Sequence, residues 1–357
     1  MFHPISRSTL AATAVATLAL AGCSTDAPVT TPTGETTAPL TAVTVVTHDS
    51  FAVPDQVLAD FEARSGLTVT FVAPGDAGSL VNQLILTKDA PLGDVVYGVD
   101  NTFASRAGSE GVFAPYESAA PAAADALAYQ AAGLEGLLTA IDFSDVCINI
   151  DHTWFADAGL DEPTTLDDLT DPAYSGLLSV PNPATSSPGL AFLMATIAAQ
   201  GDNWVSYWSD LRSNDVRVVA GWSDAYYSDF SGPSSGGDYP LVVSYASSPP
   251  FEVGDDGVST TSALLDTCFR QVEYAGVLAG AQNPDGAAMV IDWMLSDEFQ
   301  ASLPENMYVY PVSSSVAIPD YWAEHGPLAT NPWSLAPSEI DANRDDWINQ
   351  WTATVID

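Results

Sequence analysis

Basic side chains are scarce in this sequence: 8 lysines and arginines stand against 46 aspartates and glutamates, a formal net charge of −38. A chain so acidic repels phosphate backbones and anionic lipid, which excludes nucleic acid as a main partner. The same field suits a cationic ligand, although salt screens it within about 8 Å. Histidine is equally sparse, with 4 in all. His48, His152 and His325 show no metal-motif spacing to one another or to a cysteine. No Walker loop or dinucleotide fingerprint is present, and no cofactor is implied. Gly232-Pro233-Ser234-Ser235-Gly236 does match G-x-S-x-G, the nucleophile elbow of a secreted hydrolase. No apolar strand precedes it, and nothing arranges a histidine beside Ser234.

Long apolar runs are missing too. The one near the start, Leu10 to Ala21, falls short of the roughly 20 residues that cross a bilayer. Behind Arg7 it reads as the core of a signal peptide over residues 1–22. Leu20-Ala21-Gly22-Cys23 resembles the bacterial lipoprotein signal, which implies that Cys23 is acylated and becomes the mature N-terminus. Residues 23–40, rich in threonine, proline and alanine, then read as a flexible tether, and acyl chains on Cys23 would anchor the protein at a membrane surface. Of the 3 cysteines, Cys147 and Cys268 remain. In an exported protein that even pair is expected to be oxidised, the alternative being two separately buried thiols.

What remains is long enough for a large core and two domains. The β-branched run Ala42 to Thr47 predicts a strand, Pro54 to Ser65 a helix stopped by Gly66, and Leu67 to Val72 a second strand. Helical spacing returns at Leu80, Leu84 and Leu86, and Asp94 to Gly98 is a third strand. This alternation predicts an α/β sheet with parallel strands and right-handed crossovers. Its loops fall at His48 to Ser50, Gly75 to Ser79 and Asp100-Asn101. A second cycle follows: strands at Asp142 to Asp151 and Gly176 to Val180, helices at Leu190 to Ala199 and Trp204 to Leu211, and strands at Val216 to Val219 and Pro240 to Tyr245. Ser187 before Pro188 fits an N-cap, and Ser248 before Pro249 repeats the device. Later come a strand at Phe269 to Leu278, a helix at Ala287 to Leu295, an irregular aromatic stretch at 304–318, and a helix over Ser338 to Ile356.

Gly221-Trp222-Ser223-Asp224-Ala225-Tyr226-Tyr227 places an indole, a carboxylate and two phenols just past a strand, where open α/β sheets bind ligands. The serine turns offer hydroxyls and free N–H groups to an anion, aromatics can clasp a cationic ring, and Asp76 can accept a hydrogen bond from a ligand amine.

Five words strengthen these hints: THDSF (Thr47 to Phe51), DVVYGVDN (Asp94 to Asn101), NPATSSPGLAFL (Asn182 to Leu193), GWSDAY (Gly221 to Tyr226) and SYASSP (Ser244 to Pro249). In this order, from about Ala42 to Trp351, the chain resembles the thiamine-binding proteins of thiamine ABC transporters. The resemblance implies a non-enzymatic, monomeric receptor with the two-domain α/β fold of type II periplasmic binding proteins. Such a receptor closes about a hinge on thiamine or its phosphates and delivers them to a permease. It implies a first domain over 41–141 and 279–320, a second over 142–278 that includes the hinge strands, and a helical segment over 321–357. It assigns Asp76 to the aminopyrimidine, with Ala77 in place of a glycine, and Ser186, Ser187 and Trp222 to the hydroxyethyl or phosphate end. The turn Tyr245, Ala246, Ser247, Ser248 follows, and His48, Phe251 and Tyr308 take the places of the aromatic clasp. Trp222 becomes a wall of the cleft, while Tyr226 and Tyr227 are expected to pack on a following helix. The rival within the fold is a ferric-ion binder using Tyr226-Tyr227. With the crossings at Asp142 to Asp151 and Phe269 to Leu278, a Cys147–Cys268 bond would join the hinge segments without preventing closure.

Overall fold

The computed structural model describes residues 40–357. The expected signal peptide, nearly all of the tether, and Cys23 lie outside the described residues. Valines build the first strand, β1 (Ala42–Val46), burying Val43, Val45 and Val46. Helix α1 (Asp55–Ser65) ends at Gly66 as its pattern predicts, and β2 (Thr68–Val72) pairs parallel with β1. Helix α2 (Ala77–Leu86) is capped by the Asp76 carboxylate and buries Leu80, Val81 and Leu84. Strand β3 (Val95–Asp100) is buried along its whole length. A short α3 (Ala104–Ser109), β4 (Phe113–Ala114) and α4 (Ala123–Ala126) complete this half.

Strand β5 (Thr139–Asp151) opens the second cycle, followed by α5 (His152–Ala158) and β6 (Leu178–Pro181). Helix α6 (Ser187–Gln200) is apolar on every face and central, and α7 (Trp204–Ser213) packs Trp208 edge-on against Phe192 of α6. Strand β7 (Arg217–Val219) leads into a single helical turn, α8 (Trp222–Asp224), which widens into a π-turn over Ala225–Asp229. Strand β8 (Leu241–Tyr245) precedes β9 (Thr261–Leu278), and α9 (Pro284–Met294) and α10 (Asp297–Met307) return to the first half. Strand β10 (Tyr310–Pro311), α11 (Asp320–His325) and α12 (Pro337–Val355) close the chain. Trp351 of α12 meets Trp208 edge to face at 5.5 Å.

One sheet runs β2-β1-β3-β9-β5-β8-β6-β7. Each flank is parallel, as the alternation predicts, but its centre is not. β9 runs antiparallel to β3, and β5 runs antiparallel to both β9 and β8. The two long central strands therefore lie side by side and carry the sheet from one half to the other. Cys147 on β5 and Cys268 on β9 are bonded there, with Cα atoms 4.2 Å apart and both residues fully buried.

Three local expectations are corrected. The N-cap of α6 is Ser186, whose hydroxyl accepts from the Gly189 N–H, and Ser187 is the first helical residue. Ser248 caps nothing: Pro249–Glu252 is one 3₁₀ turn without a side-chain cap bond. The stretch expected to be irregular at 304–318 begins inside α10. Pro304 falls in that helix's last turns, where a missing N–H removes a single bond to the preceding turn.

Candidate functional site

Asp76 gathers the loops. One carboxylate oxygen accepts from Ala77 N at 2.6 Å and Ser187 N at 3.2 Å, the other from Trp222 N at 2.9 Å. Two of these three donors come from the second half of the chain, so Asp76 pins the two halves together. Gly78 makes the approach possible, because a Cβ there would stand 2.7 Å from the backbone of Thr185. Ala77, in the place of a glycine, is buried at the first position of the helix. The residues expected at opposite ends of a ligand, Asp76 on one side and Ser187 with Trp222 on the other, are thus in direct contact. The cleft is drawn shut.

The serine turns are correspondingly occupied. Ser186 caps its helix and is fully buried, and the Ser187 hydroxyl donates to Asp100 at the end of β3. Asp100 also accepts from the Thr102 hydroxyl at 2.8 Å and from Phe103 N at 3.0 Å. Burial pushes its carboxyl up to about 6 despite these bonds. Ser247 donates to the Tyr308 carbonyl at 2.5 Å, and Ser248 shares a hydrogen bond with Ser244 at 2.8 Å. Ala246 is buried against the Cys147–Cys268 disulfide, with its N–H on the Asp145 carbonyl at 2.7 Å.

Aromatic rings gather around Trp222, beyond the expected clasp of His48, Phe251 and Tyr308. Trp222 stacks on Tyr226 at 5.2 Å, meets Tyr227 edge-on at 5.2 Å and Tyr245 at 6.0 Å. Its indole N–H donates to Ser244 at 2.8 Å, which fixes the ring plane. Phe251 stands edge-on to Tyr308 at 4.8 Å, at the rim and partly exposed. Tyr308 itself sits at a φ of 53°, a left-handed position that ends α10 and turns its side chain toward the cleft.

Beneath these rings the central strands carry charge. His48 lies 3.4 Å from Glu273 through Nε2, without hydrogen-bond geometry, while its Nδ1 and the Ser50 hydroxyl are 2.9 Å apart. Burial disfavours an imidazolium there, but the Glu273 carboxylate, with Asp76 and Asp49 beyond it, outweighs that and raises His48 above its ordinary value. Tyr97 donates to Asp142 at 2.6 Å and to Glu273 at 3.2 Å. Asp142 and Glu273 face each other across β5 and β9. Burial, and then the charge of Glu273, push Asp142 well above the usual carboxylate range. Glu273, which burial alone would raise, is held below its usual range by His48.

The space enclosed is a cavity of about 20 Å³ lined by His48, Ser50, Trp222, Tyr227, Tyr245, Glu273, Asn306, Met307, Tyr308 and Val309. Organic ligands fill roughly 300–1,000 Å³, far more than this cavity holds. A larger cavity, of about 520 Å³ between residues 128–134 and the start of α12, holds none of the expected site residues. His48, Trp222, Tyr245 and Tyr308 line the small cavity as anticipated; Asp76, Ser187, Ser247 and Ser248 surround it with their hydrogen bonds already made. Tyr227, Glu273 and Asn306 were missed. Tyr227 was expected to pack on a following helix, but α8 ends at Asp224 and the π-turn leaves its ring at the cavity. Glu273 had one signal, a lone acid inside an apolar strand.

The rival chemistries fare differently. The Tyr226 phenol is buried and donates to Glu252 at 2.9 Å, so it does not converge with Tyr227. Ser234 donates to the same Glu252, and its N–H reaches that carboxylate at 2.9 Å; its partner is an acid, not a histidine. Among the described residues no group of three or more His, Cys, Asp or Glu side chains could hold a metal. Nor is any described helix long and apolar enough to cross a membrane.

Relatives are numerous. The thiamine-binding periplasmic protein of Escherichia coli (strain K12) is 29% identical over 89% of this chain and 96% of its own length. That of Brucella melitensis is 27% identical over 87% and 91%. Among solved structures, a periplasmic thiamin binding protein superposes with a TM-score of 0.77 at 27% identity, covering 88% of this chain and 96% of that one. Iron-bound HitA from Pseudomonas aeruginosa shares the fold at a TM-score of 0.69 and 19% identity, over 88% and 99%. Residues 90–325, more than half of the chain, match the family of bacterial extracellular solute-binding proteins; to that family the chain belongs, with the hinged α/β fold of the type II periplasmic binding proteins.

Proposed function

We propose that the protein captures thiamine outside the cytoplasm and delivers it to the permease of an ABC importer. The observation that carries this reading is the aromatic clasp of Trp222, Tyr227, Tyr245 and Tyr308 over the buried Glu273 carboxylate. It suits a flat, permanently cationic ring, and thiamine-binding relatives align with nearly the whole described chain. No step of bond chemistry is needed, and we read the protein as a receptor and not an enzyme. In this reading residues 41–141 with 279–320 form one lobe, 142–278 the other, and 321–357 a helical segment behind them. Acylated Cys23 tethers a monomer at the membrane, and the lobes part so that Asp76 releases Ser187 and Trp222 and meets the aminopyrimidine.

Titration of tryptophan fluorescence separates the possibilities, because Trp222 lies in the clasp. Thiamine, its mono- and diphosphate, and ferric citrate are compared. Quenching by a thiamine form at micromolar concentration is expected; no response to any of them sinks the reading, and a response to ferric citrate alone installs iron instead.

A further inference from the structure

Besides the exposed Asp49, four carboxylates lie about the cleft, and three are already engaged. Asp76 accepts three backbone N–H groups, and Asp100 is occupied by Ser187, Thr102 and Phe103. Asp142 takes the shorter share of the Tyr97 hydroxyl, at 2.6 Å, and faces Glu273 across the strand pair. Glu273 differs. One oxygen takes the Tyr97 hydroxyl at 3.2 Å, Asp142 lies beside it as a further hydrogen-bond partner, and the other oxygen lies 3.4 Å from His48 Nε2.

His48 is held loosely for so buried a residue. It is 5% exposed, its Nε2 has no hydrogen-bond partner, and only Nδ1 is tied, to Ser50. The ring fits because position 98 is glycine: a Cβ there would come within 2.2 Å of His48 Cδ2, and the φ of +94° suits only glycine. Both His48 and Glu273 line the cavity beneath the Trp222, Tyr227, Tyr245 and Tyr308 rings. A titratable ring thus lies where an aromatic cage opens onto a carboxylate.

We propose that Glu273 is the anionic floor of the binding site and that His48 is its resident counter-cation, which gives up its place and its proton when the cationic ring of a ligand arrives. The inference rests on the cleft being a binding site for an aromatic cation. With no cation in the cage, the imidazolium neutralises a carboxylate that would otherwise be buried alone, at high cost. When a permanent cation occupies the cage, two positive charges cannot share one carboxylate. One proton leaves His48 for solvent, and no covalent bond changes. The other groups facing His48 are the carboxylates of Asp49 and Asp76 and, across the ring, Tyr97, at 5.6 Å between centroids and backed by Asp142. Asp49 and Asp76 assist Glu273 in holding the imidazolium, so removing Glu273 is expected to weaken that hold without abolishing it.

The test follows the His48 ring by NMR through a pH titration of the full chain, alone and with saturating thiamine. A parallel titration uses an N-benzylthiazolium salt, which keeps the cationic ring and drops the aminopyrimidine. The His48 midpoint is expected to fall by at least about one pH unit with either cation, and by a similar amount in Glu273→Gln without ligand. Below that midpoint the affinity for thiamine is expected to drop by roughly tenfold per pH unit, as one released proton requires. His48→Gln should bind thiamine with that dependence flattened. A midpoint unmoved by a bound cation, or identical in Glu273→Gln and the unaltered chain, overturns the proposal. Failure to bind thiamine in any form sinks the thiamine reading instead, and the thiazolium titration then decides this one.

Discussion

The two serine-proline turns are nearly the same word in the sequence and opposite objects in space. Ser186-Ser187-Pro188 opens a fourteen-residue helix: Ser186 caps it and Ser187 reaches across to Asp100. Ser247-Ser248-Pro249 opens a four-residue 3₁₀ turn, and both hydroxyls fold back, Ser248 onto Ser244 and Ser247 onto the Tyr308 carbonyl. The residues that follow make the difference. Gly189 to Ala195 are apolar and helix-compatible, whereas Pro250 is a second proline and Gly254-Asp255 ends the turn. The first turn is held by helix capping and the second by packing against the Cys147–Cys268 disulfide. A shared motif therefore says where the chain turns, but the next dozen residues decide what the hydroxyls meet.

Breaking the disulfide tests this contrast hardest. It closes a loop with a sequence separation of 121, and the chain-entropy account gives about 4–5 kcal/mol for loops of that order. Replacing both cysteines with alanine is expected to lower denaturant stability by that amount, and to speed amide exchange at Ala246 while leaving Gly189 protected. Equal loosening of both would show that the two turns share one support.

A smaller effect, of about 3 kcal/mol, belongs to Asp100, with which the first turn bonds. Its carboxyl is raised from 3.8 to about 6, so the folded state binds its proton more tightly than the unfolded chain does. Stability from this group is therefore present at pH 4 and lost as pH rises through 6. Asp100→Asn should remove that fall, and Ser187→Ala, by deleting a bond that lowers the carboxyl, should move the window upward. Thermal melts from pH 4 to 7 read both, and parallel slopes in variant and unaltered protein would contradict the assignment.

Asp76→Ala comes next. Losing a charged acceptor is worth about 1.5–3 kcal/mol, so thiamine affinity is expected to fall by roughly one to two orders of magnitude, and the Ser187 and Trp222 amides to exchange faster. A change under about twofold would remove Asp76 from the site. The gentlest comparison is Ser186→Ala against Ser186→Thr. Loss of the cap costs about 1 kcal/mol and threonine restores most of it. At Ser248, which caps no helix, threonine should bring no such rescue in chemical denaturation.

The outer strands, α1, α2, α6 and α12 were legible because their patterns are local. Valine runs, a glycine stop and apolar residues at helical spacing each act within a few residues. The central antiparallel pair was not, since alternating strands and helices say nothing about a strand that arrives from a hundred residues away. Of the cavity lining, His48, Trp222 and Tyr245 could be named because they sit in recognisable words, and Tyr308 only because the family resemblance pointed to its place. Glu273 could not, since its meaning depends on β9 lying against β5 and on the ring of His48 above it.

By itself the sequence determined what chemistry the cleft could hold: an acidic, aromatic, histidine-poor chain with one oxidisable cysteine pair favours a cation over an anion or a metal. Only the tertiary structure decided which carboxylate lies beneath the rings. Asp76, Asp100, Asp142 and Glu273 are alike as letters, and the fold alone sets Glu273 at the cavity, 3.4 Å from His48.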